Sequence, residues 1–119
     1  GRSSKENLTK MIDELIKKLG IKLTHTDEEH IRISATRKAR GAFRWDYQKH
    51  RGEILLAKSA NERTKLHELG HTINFILGNG QKYSDRMGID SELFADMVAD
   101  ILELCYSNDK EDRAKEAAI

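Results

Sequence analysis

Apolar residues at Leu8, Met11, Ile12, Leu15, Ile16 and Leu19 recur three and four positions apart, the spacing of one helix face. This predicts a helix over residues 5–19, with Ser3 and Glu6 as a capping box and Gly20 as the stop. The period then shortens. "IKLTH" (21–25), "HIRIS" (30–34), "GAFRWDY" (41–47) and "GEILLA" (52–57) alternate apolar and polar positions or string β-formers together, as short strands do. The polar turn "QKHR" makes the last two a predicted hairpin. Helical spacing returns with Leu66, Leu69, Ile73 and Ile76, and Ser59 with Glu62 forms a capping box that starts a helix near Ala60. That helix runs to Leu77 and meets Gly78, after which "GNGQKYSDRMG" reads as a loop. A further helix is predicted from Asp90 or Ser91 to Tyr106. Leu93, Met97, Ile101 and Leu104 form one apolar row with Phe94, Val98 and a buried Cys105 beside it, and Leu93, Phe94, Met97 and Ile101 are expected to pack this helix on the first.

These elements predict one α+β domain over residues 5–106, followed by a charged tail over 107–119. A small twisted sheet of three or four strands packs on the middle helix. "GEILLA" lies next to that helix, because only "KSAN" joins them. With 119 residues, the chain suffices for one modest core. At 38% hydrophobic and 34% charged it is polar but globular, and no apolar run reaches bilayer length, so no membrane partner is expected. A single cysteine excludes an internal disulfide framework, and with no signal-like apolar stretch at the start this favours a cytoplasmic protein. The net charge of +1 is neutral on nucleic acid. Arg37, Lys38, Arg40, Arg44, Lys49 and Arg51 nevertheless crowd one stretch, either as a solvated face or as a contact for an acidic partner or phosphates.

The chemistry concentrates in "HELGH". His67 and His71, four apart on a helix, bring their Cβ atoms to about 5–6 Å and can share one metal ion. Glu68 lies roughly 100° further round, so it serves as a base and not as a third ligand. Gly70 leaves room for close backbone packing at a cost in helix propensity. The competing reading is a charge-rich surface helix with two histidines by chance. A catalytic zinc site needs a third ligand, and Asp85, Asp90, Glu92 and Asp96 are the acids downstream. Glu92 is preferred, because Asp96 one turn later can accept a hydrogen bond from the far nitrogen of a ligating histidine. The alternative for both acids is ordinary first-turn placement near a helix N-terminus. His25 and His30, flanking "TDEE", are expected to face solvent.

"HELGH" followed by "ELFAD" resembles the gluzincin pattern of zincin metallopeptidases, and "GEILLAKSANERTKLHELGH" resembles the ImmA/IrrE-type metallo-endopeptidases, over roughly residues 30–105. Leu93 and Phe94 after Glu92 depart from the E-A-N or E-A-D of that family and stand closer to lethal-factor-like peptidases. The resemblance implies a minimal zincin-like domain and a zinc-dependent endopeptidase. In it His67, His71 and Glu92 hold Zn²⁺, Glu68 is the general base, and the substrate is a protein such as a transcriptional repressor. Tyr83, His50 and Tyr106 are the candidates to stabilise the oxyanion, and "GAFRWDY" is the edge strand for an extended substrate. Phe43 and Trp45 in that strand otherwise serve as core or edge residues. Two other classes stay open: a zincin-fold binding module without turnover, contacting protein or DNA through the basic stretch, and a toxin-like protease fragment.

Overall fold

Helix α1 (Ser4–Lys18) ends where Gly20 was expected to stop it. Ile21 N–H donates to the Ile16 carbonyl and Gly20 N–H to the Lys17 carbonyl, closing the helix with Gly20 at a φ of 65°. The computed structural model describes residues 4–107, so Ser3 and its capping box, and the tail from residue 108, lie outside the described residues. Leu8, Met11, Ile12 and Ile16 of α1 are buried in the core, as their spacing predicts.

Five strands follow: β1 (Lys22–His25), β2 (Ile31–Arg32), β3 (Lys38–Ala39), β4 (Gly41–Asp46) and β5 (Arg51–Leu56). Three of them form a mixed sheet in the order β1-β5-β4, with β5 parallel to β1 and antiparallel to β4. The predicted hairpin is β4–β5, with Phe43 opposite Ile54 and Trp45 opposite Gly52. "HIRIS" does not join this sheet. Its strand ends after Arg32, because the N–H groups of Ile33 and Ser34 both turn back to the Arg37 carbonyl. The result is a separate two-stranded ribbon, β2–β3, that leaves Ile33 exposed.

Helix α2 (Glu62–Leu77) lies against β4 and β5, with Leu66 and Leu69 packed among Ile54 and Leu56 of β5. It starts later than the Ser59 box predicts. The N–H of Ser59 is already taken by the Glu29 carbonyl and that of Lys58 by Glu28, and Ala60 N–H returns to the Ala57 carbonyl, so residues 57–60 form a turn ahead of the helix. Asn61 caps instead: its side chain accepts from Thr64 N–H at 2.9 Å, and Thr64 Oγ1 accepts from Asn61 N–H at 3.2 Å. The segment read as a loop holds a short helix, α3 (Tyr83–Met87). The buried pair Asn74 and Ser84 ties it to α2 through two hydrogen bonds, at 2.8 and 2.9 Å.

Helix α4 (Ser91–Ser107) is capped by Asp90, whose carboxylate accepts from the N–H groups of Glu92 and Leu93. Of the four residues expected to pack it, only Phe94 is buried. Phe94, Ala95 and Ala99 turn inward, while Leu93, Met97, Ile101 and Leu104 are exposed, and Cys105 is exposed too. The helix has two apolar faces, and the one bearing small residues can approach α2 closely. The fold is α+β, with a mixed three-stranded sheet, four helices among the described residues, and α2 between sheet and α4. No helix among the described residues is long and apolar enough to cross a membrane.

The capping assignment is testable by chemical denaturation. Asn61→Ala should lower stability by about 1 kcal/mol, whereas Ser59→Ala should change it by less than about 0.5 kcal/mol. The reverse order would return the cap to Ser59.

Candidate metal centre

Arg63, His67 and His71 follow one another at four-residue steps along α2, and Glu92, Asp96 and Asp100 do so along α4. The helices run antiparallel, so the two rows meet in opposite order. Arg63 pairs with Asp100 at 2.8 Å and Glu103 at 3.0 Å, His67 meets Asp96, and His71 meets Glu92. The meeting depends on Gly70. A Cβ built there would stand 2.5 Å from the Ala95 carbonyl oxygen and 2.8 Å from its Cα, contacts that only backbone movement could relieve.

The three residues singled out as ligands converge. His67 Nε2 lies 2.8 Å and His71 Nε2 3.3 Å from Glu92 Oε2, and one donor atom from each of the three residues falls within 4.8 Å of the others. These residues can hold a metal ion. The surroundings of His67 fit one: Nδ1 lies 2.7 Å from Asp96 Oδ1, so both ring nitrogens face carboxylates. A neutral imidazole has one N–H, and a donor Nδ1–H to Asp96 leaves the Nε2 lone pair directed at the Glu92 side, where a cation would satisfy both.

Glu68 is buried at 6% exposure and does not join the three donors. Burial pushes its carboxyl up to about 7; nearby His67 opposes the rise and Glu92 adds to it. Burial lowers His67, but the carboxylates of Asp96 and Glu92 outweigh it and hold the imidazole above its ordinary value. His71 is held low, since burial there dominates the attraction of Glu92. Gly41 of β4 lets the strand close over this turn. A Cβ there would come within 2.8 Å of Thr64 Cγ2 and 3.1 Å of Glu68 Cγ. Phe43 stacks on His71 with centroids 5.7 Å apart and planes 17° from parallel, which fixes the imidazole from the sheet side.

The donors open into a cleft of about 1130 Å³ between β4 and α4. Neither candidate oxyanion stabiliser with a described side chain lines it. Tyr83 makes a T-shaped contact with Phe94, and His50, in the hairpin turn, makes one with Trp45. The Tyr106 side chain lies outside the described residues. Asp90 is occupied as a cap, Asp85 sits on α3 outside the donor group, and His25 and His30 are exposed as expected. Of the basic stretch, Arg37, Arg40 and Arg44 line the cleft, while Lys38, Lys49 and Arg51 do not. Sequence reasoning missed Arg63, Phe75 and Lys82 as cleft residues. The signal for Arg63 was present, four residues before His67 and facing acids that repeat at the same interval on the other helix. Comparison of the chain with family models, with curated proteins and with solved structures found no match.

Gly70→Ala should therefore cost about 1–3 kcal/mol of stability and weaken metal binding together with it, because α4 carries Glu92 away as it is displaced. Denaturation and a zinc titration of the same samples read the two effects. A variant that retains full zinc affinity would show that the helix crossing does not set the donor distances.

Proposed function

We propose that the chain is a zinc-dependent endopeptidase of the gluzincin type, similar to the ImmA/IrrE-type metallo-endopeptidases, that cuts a protein substrate such as a transcriptional regulator. The observation that carries this reading is the pairing of three convergent donors, His67, His71 and Glu92, with a buried carboxyl, Glu68, that stays outside the donor set. Two imidazoles and one carboxylate suit a catalytic zinc site with a position left for substrate. Zn²⁺ bound there supplies Lewis acidity, polarising the scissile carbonyl and acidifying a water.

The protein's own groups do the rest. Glu68 takes a proton from the attacking water and delivers it to the leaving amine. Buried beside the donors and outside their set, this carboxyl can accept a proton and then release it. Asp96 accepts from His67 Nδ1 and so fixes the ring's orientation and tautomer. Arg63 braces the same helix pair through Asp100 and Glu103. β4 is an edge strand of its sheet and lines the cleft, so an extended peptide can add to it as a further strand.

Glu68→Gln separates catalysis from binding. It keeps a polar group of the same shape but cannot take the proton. Zinc content and melting temperature should stay near wild type, while proteolysis falls about 10²–10⁴-fold. Glu92→Gln should instead weaken zinc binding itself, because a charged ligand is lost. If Glu68→Gln released the metal, its role would be that of a ligand. If it left a wild-type cellular effect intact, the protein would act as a binding module.

A further inference from the structure

The cleft differs chemically at its two ends. β4 runs beside α2, with Gly41 against Thr64 and Glu68, Phe43 against His71, and Phe75 stacked on Trp45. The metal donors thus lie between the start of β4 and its end. At the start, Arg37 and Arg40 are exposed, line the cleft, and make no ion pair among the described residues. At the end, Phe43, Phe75 and Trp45 form one ring cluster, with centroid separations of 5.3 and 5.6 Å. Lys82 also lines the cleft, so its lining carries more cationic side chains than carboxylates.

Resting on the endopeptidase reading, we propose that the cleft selects an extended peptide with an acidic residue at the Arg37–Arg40 end and an aromatic or large apolar residue at the Phe43–Trp45–Phe75 end. Spacing follows from the strand. Arg40 and Trp45 are five residues apart, and a strand rises about 3.4 Å per residue, so the two recognised side chains stand roughly 10–17 Å apart, three to five residues. Two observations favour a peptide over a small molecule or a nucleic acid. The volume, about 1130 Å³, exceeds the roughly 300–1,000 Å³ of ordinary small-molecule pockets. β4 lines the cleft as an edge strand, and an extended peptide can add to it through main-chain hydrogen bonds that a nucleic acid does not supply. Unpaired arginines attract a carboxylate, and the half-buried rings of Phe43 and Phe75, packed beside the buried Trp45, take an apolar or aromatic side chain.

The test measures binding, not turnover. Zinc-loaded Glu68→Gln protein of all 119 residues is titrated calorimetrically with end-blocked seven-residue peptides. Each carries two glutamates at one end and a phenylalanine four residues from the nearer one, in both chain directions. Emission from Trp45, the single tryptophan, reports occupation of the aromatic end. One direction should bind at least about tenfold more tightly than the same peptide with lysines for glutamates, and the preference should shrink with salt. Arg37→Glu with Arg40→Glu, both exposed, should reverse it in favour of the lysine peptide. Replacing the peptide's phenylalanine by alanine should weaken binding and abolish the Trp45 response, and Phe75→Leu should do so in part. Equal binding of acidic and basic peptides, or a charge preference untouched by the double reversal, would overturn the proposal. So would a short DNA duplex that binds more tightly than the acidic peptide. If wild type binds these peptides with the expected preference but cleaves none that fit, the endopeptidase reading fails and the cleft assignment stands. If it cleaves proteins with no such preference, the outcome is the opposite.

Discussion

Between Gly70 and Ala95 the backbones of α2 and α4 come so near that a single added methyl would meet a carbonyl oxygen and a Cα. Side chains usually hold packed helices about 8–10 Å apart, and a glycine opposite an alanine removes that spacer at one turn. The consequence reaches the site directly. His67 and His71 flank Gly70 on α2, and Glu92 and Asp96 flank Ala95 on α4, so the distance between backbones sets the distance between donors. Ala99, one turn on from Ala95, is also fully buried and belongs to the core cluster.

A contact this close has costs elsewhere. Glycine within α2 sacrifices helix propensity, on the order of 1 kcal/mol, and Glu68 is buried with its carboxyl pushed towards neutrality. Such local departures from folding rules gather at binding and catalytic sites in general, and here both lie at the turn that carries the candidate metal donors. Support comes from either side of α2: Leu66 and Leu69 on the β5 core, Asn61 and Thr64 closing its start, and Asn74 gripping α3 at its end. The donor turn is therefore held at both ends of its helix and along one flank, and little freedom remains where the candidate donors project.

The sheet contributes in a different way. β5 is buried between two partners and fills the core, whereas β4 has one free edge beside the donors. Its alternation gives it two tasks. Phe43 and Trp45 turn toward α2 and its aromatic and imidazole rings, while Arg44 turns away and pairs with Glu53. The exposed pair Arg44–Glu53 adds little stability, but it takes Arg44 out of play and leaves Arg37 and Arg40 as the unengaged cations at that end of the cleft.

Local pattern alone determined the first helix, the β4–β5 hairpin, the placement of "GEILLA" beside the motif helix, and the spacing that sets His67 and His71 together with Glu68 apart from them, because each depends on residues within a few turns of one another. Glu92 and Asp96 were also legible, since two acids one turn apart share a helix face wherever that helix goes. What lay beyond the sequence was which way each element turned. On α4 the larger apolar row of Leu93, Met97, Ile101 and Leu104 looks like the core face, yet the tertiary structure buries Ala95 and Ala99, because only small residues admit the backbone of Gly70. Ser59 and Asn61 are both competent caps by type, and the pairing of residues 58–59 with 28–29, remote in sequence, decided between them. Tyr83 and His50 had the right chemistry for the cleft, but packing against Phe94 and Trp45 turned them aside. Periodicity reports that a residue has a preferred face. Only contact between distant segments decides what that face meets.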